Sequence, residues 1–150
     1  MTEANTLVLN QINLVVKDMS RALAFYRRLG LEIEEATRPE WARHHATAIM
    51  PNGFRIELDS VVFARQWNPG LRGAPGPAGC VLFFAVEARE DVDRLFETMA
   101  SAGYASQSAP ADAFWGARYA VIEDPDGHAV GIMSPIDPAC RRPPPAPPGG

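Results

Sequence analysis

Two stretches of the chain repeat the same order of hydrophobic and polar positions. Gln11–Val16 and Val81–Val86 are short runs rich in β-branched and aromatic residues, which is typical of buried strands. After each run, apolar residues recur at helical spacing, over Met19–Leu29 in the first stretch and over Val92–Met99 in the second. Asp18 directly precedes the first of these and is a residue type that caps helices. The pattern therefore predicts a strand followed by a helix, twice.

A second repeat lies downstream of each predicted helix. When the chain is shifted by 74 residues, residues 41–58 fall on residues 115–132 without a gap, and Trp41, Pro51 and Gly53 each meet an identical residue. Asn52–Gly53 and the matching Asp126–Gly127 favour two-residue hairpin turns. Each copy thus reads as a βαβββ module, at about residues 7–59 and 80–134, with residues 60–79 as the linker. Neither module can bury its sheet face alone, so we expect the two to pair.

These segments resemble a known superfamily. The stretch Leu14–Gly30 (LVVKDMSRALAFYRRLG) and the stretch Ile122–Ile132 (IEDPDGHAVGI) are similar to the vicinal-oxygen-chelate superfamily. That superfamily includes glyoxalase I, extradiol dioxygenases and the bleomycin-resistance binding proteins. The resemblance covers residues 9–134 and implies an α+β fold in which two paired βαβββ modules form a curved mixed sheet around a cavity. The motifs are specific for the fold, whereas the superfamily holds metalloenzymes and metal-free binders alike.

Charge and composition exclude several functional classes. The formal net charge is −4 and the 14 Lys and Arg residues are not clustered, so we expect no nucleic-acid partner. Apolar runs are too short to cross a bilayer, and Cys80 and Cys140 form no disulfide framework, which indicates a cytoplasmic protein without membrane contact. Residues 1–134 are predicted to be the domain, and the proline-rich residues 135–150 a disordered tail.

Alternation along the predicted strands selects the residues of the cavity wall. In the first hairpin, Arg55, Glu57 and Asp59 alternate with an apolar set and are assigned to the concave side. A two-residue turn would place residue 57 opposite residue 48, which adds His44 to this side and assigns His45 and His128 to the other side or the surface. The ligand-binding residues predicted in this way, with aromatic lids, are Gln11, Asn13, His44, Arg55, Glu57, Trp67, Phe83, Trp115, Arg118, Ile122 and Met133.

The resemblance also implies four metal-ligand positions, one on the first and one on the last strand of each module. They fall on Gln11, Glu57, Val81 and Gly131. Val81 and Gly131 have no ligating side chain, and a catalytic divalent ion normally needs about three protein ligands. We therefore expect no cofactor; if a divalent metal is present, Gln11 and Glu57 are its ligands.

Three functional classes follow, and the sequence leaves open whether the protein catalyses a reaction. The third of them, a structural or regulatory partner module that uses the proline-rich tail, is favoured by composition alone. The first is a metal-free small-molecule binding protein that holds a planar organic ligand in the sheet cavity. The alternative is a glyoxalase-like lyase or isomerase that uses Glu57 as its catalytic base, with or without a divalent metal. Glu57 is equally well explained by a salt bridge to Arg55 or Arg118. The resemblance implies a homodimer.

Overall fold

The computed structural model describes residues 8–77 and 79–146, which fall in two compact units that divide between Pro75 and Gly76. Each unit contains one four-stranded mixed sheet. Within the described residues, no helix is long and apolar enough to cross a membrane.

The first unit contains the predicted βαβββ order. Its elements are β1 (Gln11–Val16), α1 (Met19–Leu29), β2 (Glu34–Glu35), β3 (His45–Ile49), β4 (Arg55–Ser60) and α2 (Val61–Trp67). The strands are arranged as β1-β4-β3-β2, with β1 parallel to β4 and the other neighbours antiparallel. A short 3-10 turn precedes β3.

The second unit repeats this arrangement. Its elements are β5 (Val81–Ala85), α3 (Arg89–Ser101), β6 (Ser106–Asp112), β7 (Arg118–Glu123) and β8 (Ala129–Met133), in the sheet order β5-β8-β7-β6. Here β5 is parallel to β8, and the other neighbours are antiparallel. The predicted α+β class and the two βαβββ modules are confirmed.

Helix α1 has the boundaries that its sequence predicts. Asp18 Oδ1 accepts a hydrogen bond from Arg21 N, and Gly30 ends the helix in a left-handed conformation that a side chain would strain. The apolar stripe of the helix, which includes Tyr26, is buried together with the apolar positions of β4, such as Leu58. Burying each such side chain contributes roughly 1.5–3 kcal/mol.

The first hairpin turn differs from the prediction by one residue. Met50 N donates to Phe54 O (2.7 Å) and Gly53 N donates to Met50 O (2.8 Å), so the loop contains three residues rather than two. Gly53 has a φ of +88°, whereas Asn52 does not have a positive φ, as a two-residue type I′ turn would need. As a result Thr47, and not residue 48, lies opposite Glu57. A shift of one residue exchanges the two faces of β3.

The second hairpin makes the same turn. Asp124 N donates to His128 O (3.0 Å), and Gly127 takes the positive φ. Tyr119 therefore lies opposite Met133, where the prediction placed residue 120. The faces of β7 are likewise exchanged relative to the prediction.

Helix α2 and the C-terminal segment have structure that the sequence did not predict. Helix α2 occupies the start of the predicted linker, and Ser60 Oγ caps it by accepting from Phe63 N (3.1 Å). Beyond β8, Asp137 N donates to Gly116 O (3.0 Å), and Arg142 N donates to a carbonyl of the same loop. The part of the predicted tail at residues 147–150 lies outside the described residues.

Candidate functional site

Polar side chains collect on the face of the first sheet that lies opposite its apolar positions. The parallel pairing of β1 with β4 places Asn13 beside Glu57, and the pairing of β3 with β4 places His45 beside Asp59. We call this surface the polar face. It comprises Gln11, Asn13, His45, Thr47, Arg55, Glu57 and Asp59.

Asp59 is the most deeply buried member of the polar face, with 0% of its surface exposed. Its Oδ2 accepts from Asn13 Nδ2 (2.9 Å), and its Oδ1 bonds to His45 Nδ1 (2.7 Å). Gln11 Nε2 extends the chain of hydrogen bonds by donating to Asn13 Oδ1 (2.9 Å). Both carboxylate oxygens thus have a donor, which is what a buried charge requires.

Glu57 is 5% exposed and has partners on both oxygens. Arg55 Nε (3.0 Å) and Nη2 (2.8 Å) donate to Oε1, and Thr47 Oγ1 donates to Oε2. The salt bridge to Arg55 that the sequence offered as one explanation of Glu57 is present; the predicted role of Glu57 as a base stays a prediction.

His45 lies between the two carboxylates. Its Nε2 is 3.5 Å from Glu57 Oε2 and 3.4 Å from Thr47 Oγ1, on the ring edge opposite Asp59. The ring stacks on Phe63 of α2, with centroids 4.6 Å apart and planes 24° apart. The assignment of His45 to the other side of the sheet was wrong, because the three-residue turn reverses β3.

His44 has the opposite parity and does not lie on the polar face, contrary to the prediction. Its Nδ1 hydrogen-bonds with Ser60 Oγ (2.8 Å), and its ring meets Trp41 edge-on at 5.6 Å. The signal that could have separated the two histidines is the length of the hairpin loop.

The observed register also corrects the predicted positions of Arg118 and Ile122. Arg118 Nε donates to Asp93 Oδ2 on α3 (2.7 Å), and Arg118 Nη1 donates to Asp112 Oδ1 (3.1 Å). The hydrogen bond that Arg118 donates to Asp93 is the main cause that raises the pKa of Arg118. These contacts place Arg118 on the α3 side of the second sheet, and Ile122, which shares that parity, is buried there.

The face of the second sheet away from α3 is mostly apolar, and Glu123 shares its parity. Register places Phe83 beside Gly131, while Met133 lies two residues further on and shares their parity. Phe83 is 46% exposed, and a Cβ added to Gly131 would lie 2.3 Å from its ring. Phe83 and Met133 therefore share the face that the sequence predicted, and their contact with a ligand stays a prediction.

The two predicted lid tryptophans lie in different units. Trp67 ends α2 and is exposed. Trp115 packs between Phe114 (5.1 Å) and Tyr119 (5.4 Å) and borders a cavity of about 490 Å³ that the C-terminal prolines also line. A lid role for either residue stays a prediction.

A divalent ion does not fit the four positions that the resemblance implies. Gln11 has only an amide oxygen to offer, and both Glu57 oxygens already accept hydrogen bonds. Val81 has no donor atom, and the Phe83 ring occupies the space that a side chain at position 131 would need. This donor set falls short of a catalytic site.

Asp124, Asp126 and His128 form another group that could hold a metal ion, with candidate ligand atoms within 4.8 Å of one another. Asp124 Oδ1 accepts from the backbone N–H groups of Asp126 and His128 (both 2.9 Å), and its Oδ2 bonds to His128 Nδ1 (2.7 Å). The hydrogen bond to Asp124 is the main cause that raises the pKa of His128. The group holds the turn closed, and the expectation of no cofactor stays a prediction.

Comparisons with known proteins agree with this fold. Residues 8–132 match the model of the Glyoxalase/Bleomycin resistance protein/Dioxygenase superfamily. An uncharacterized protein of Mycobacterium bovis, Mb0911c, is 31% identical over 126 residues, which cover 83% of this chain and 81% of that protein. A relative from Mycobacterium tuberculosis, the uncharacterized protein Rv0887c, is equally similar, with 72% of its length covered.

Two solved structures show the same fold at lower identity. A glyoxalase-related enzyme from Fulvimarina pelagi superposes with a TM-score of 0.74 and 22% identity, covering 87% of this chain and 89% of that one. A glyoxalase/bleomycin resistance protein/dioxygenase family enzyme from Burkholderia phytofirmans gives 0.69 and 21%, covering 84% and 97%. At these identities the likeness concerns the fold alone.

Proposed function

Because the chain belongs to the glyoxalase/bleomycin resistance protein/dioxygenase superfamily, we propose that it is a small-molecule binding protein. Its binding surface is the polar face of the first sheet, and it takes its ligand without a metal ion. The observation that carries this proposal is the burial on that face of two carboxylates, Glu57 and Asp59, each with hydrogen-bond partners on both of its oxygens. Removing two charges from water is costly in free energy. A sheet face that only packs against another element would be more stable if apolar residues replaced the buried charges.

The chemistry of the polar face indicates the ligand class. The Arg55 side chain is 44% exposed while it bonds to buried Glu57, so its guanidinium is held in place and still reaches solvent. Exposed Gln11 lies beside Arg55 in the register, and Ile49, also exposed, lies opposite it. This combination suits a planar organic molecule that has an anionic or carbonyl edge and an apolar ring.

A thermal-shift screen of planar aromatic acids, phenols and amides tests the proposal. A ligand at about 100 times its Kd adds roughly 2.7 kcal/mol to the free energy of unfolding. Arg55→Gln should weaken the binding of anionic hits by roughly 1–3 kcal/mol, because a buried or half-buried partner then lacks its donor. Arg94→Gln, which removes an exposed arginine paired with Asp91, is the matched control and should leave the affinity unchanged.

Metal dependence is tested in the same assay. Hits should shift the melting temperature equally with and without excess chelator. Hits that vanish in chelator, or that respond equally to the two arginine substitutions, would contradict the proposal.

A proton-transfer enzyme, of lyase or isomerase type, is the second candidate. The hydrogen bond from His45 Nδ1 to buried Asp59 favours it, because this is how many enzymes orient a histidine base. Glu57, the base that the sequence suggested, is less suited, since both its oxygens accept hydrogen bonds from Arg55 and Thr47.

We also propose that the protein forms a homodimer, as the resemblance implies. Val81 and Phe83 expose apolar side chains on edge strand β5 that a second subunit would cover. Light scattering at tens of micromolar should give twice the chain mass, and a monomer at that concentration would contradict this proposal.

A further inference from the structure

The His45 ring has an acceptor atom beside each of its two nitrogens. Asp59 Oδ1 lies beside Nδ1, and Thr47 Oγ1 and Glu57 Oε2 lie beside Nε2. We propose that His45 is a general base that removes a proton from a ligand bound on the polar face, and that Asp59 is its positioning residue. This inference rests on the proposed function, because it needs a ligand at that surface, and it adds an activity to binding.

The first step of the argument concerns the tautomer of His45. The Asp59 carboxylate has no N–H or O–H group to donate, so the 2.7 Å contact to Oδ1 needs the proton on His45 Nδ1. Asn13 Nδ2 donates a hydrogen bond to the other carboxylate oxygen, Oδ2, and so fixes the orientation of the carboxylate. In the neutral ring the lone pair then lies on Nε2, which is the atom a base uses.

The second step concerns what faces Nε2. Thr47 Oγ1 gives its own proton to Glu57 Oε2, so it presents lone pairs, and not a hydrogen, to the imidazole 3.4 Å away. Among the described residues, Thr47 Oγ1 is the polar atom recorded within hydrogen-bond distance of Nε2, at 3.4 Å, and its proton is directed at Glu57. Once Nε2 has taken a proton, Thr47 Oγ1 and Glu57 Oε2 are both acceptors for the new N–H group, the latter at 3.5 Å.

The third step concerns the charge that forms. An imidazolium at this position has Asp59 on one edge and Glu57 on the other, and the Phe63 ring stacks on one face at 4.6 Å. Asp59 and Glu57 thus offer an acceptor to each N–H group of an imidazolium. The surroundings are therefore arranged for the protonated product of the transfer, which is the charge distribution that a general base needs.

The reaction class follows from the proton balance. A C–H bond of the ligand breaks, an Nε2–H bond forms, and the electron pair stays on the ligand, in a conjugated carbonyl or in a leaving group. Return of the same proton to another atom gives an isomerisation, and departure of a leaving group gives an elimination. Neither outcome needs an oxidant or a reductant.

The probe for the test is 5-nitrobenzisoxazole, a planar carbon acid. A base takes its ring C–H proton, the C–H electrons form a nitrile, and the N–O bond breaks to release a coloured nitrophenolate. The protein should accelerate this reaction over free imidazole in the same buffer, with saturation kinetics. His45→Gln keeps an amide that can donate to Asp59, and it should lower kcat by about 10²-fold with little change in KM.

Two further variants separate catalysis from structure. His44→Gln changes the neighbouring histidine, which lies off the polar face, and should leave kcat unchanged. Asp59→Asn should lower kcat because its amide would donate to Nδ1 and force the proton onto Nε2. Nitrogen-15 NMR of the imidazole should show the Nδ1–H tautomer in the unchanged protein and the Nε2–H tautomer in this variant.

The outcomes that overturn the inference are distinct from those that overturn the proposed function. A wild-type rate equal to that of free imidazole, a rate unaffected by His45→Gln, or an Nε2–H tautomer in the unchanged protein refutes the role of His45. If hits from the thermal-shift screen still depend on Arg55, the binding function stands without it. If no hit depends on Arg55, the proposed function fails, whatever the rate with the probe.

Discussion

Replacing His45 by alanine should destabilise the first unit more than replacing its neighbour His44. His45→Ala removes the donor that the described residues place on Asp59 Oδ1, and Asp59 is fully buried. Leaving a buried acceptor unpaired costs about 1–3 kcal/mol, and the lost stacking on Phe63 adds about 0.5–1.5 kcal/mol. The expected loss is therefore about 2–4 kcal/mol. His44→Ala removes one hydrogen bond to the half-buried Ser60 and an edge contact, for which about 1 kcal/mol is expected.

Urea denaturation in a Trp115→Phe background measures this difference. The remaining tryptophans, Trp41 and Trp67, both belong to the first unit, so their fluorescence follows its unfolding. Midpoints should fall while the denaturant slope stays constant. A double-mutant cycle with Asp59→Ala should give a coupling energy of about 1–3 kcal/mol for His45 and Asp59.

The reasoning is refuted if His44→Ala costs as much as His45→Ala, or if the effects of His45→Ala and Asp59→Ala are additive. Either result would mean that the three-residue turn and the strand faces derived from it are wrong.

Two other substitutions test the second unit. Hydrogen bonding to Asp124 raises the folded-state pKa of His128, so its contribution to stability should be complete below about pH 6.5 and be lost as the pH rises through the raised value. His128→Gln should flatten that part of a plot of urea midpoint against pH. Gly116 has a φ of +99°, and a Cβ there would lie 2.5 Å from Asp137 O, so Gly116→Ala should release the C-terminal segment and speed its proteolysis. Gly70→Ala, at a position with room for a Cβ, should not change the proteolysis rate.

The sequence could predict the fold because each local signal agreed with the others. Helix α1 has its cap, apolar stripe and terminating Gly30 in sequence order, and the second module repeats the pattern. The positions of Asn13, Arg55 and Glu57 on one face were also predictable, because strand alternation alone decides them.

The cross-strand partners could not be predicted in the same way, because they depend on the turn. Asn52 followed by glycine favours a two-residue turn, but Asn52 Oδ1 accepts from Phe54 N (3.0 Å) and the asparagine has no positive φ. Only Gly53 then takes the left-handed conformation, and the loop gains a residue. This single difference exchanged His44 with His45 on the polar face.

Chemical-shift mapping of the backbone amides with a hit from the thermal-shift screen tests the central claim most directly. The account predicts that the largest changes occur on β1, β3 and β4, around Asn13, His45 and Glu57, and that they are the same in chelator. Changes confined to the second unit, or to α1 and the apolar side of the first sheet, would contradict it.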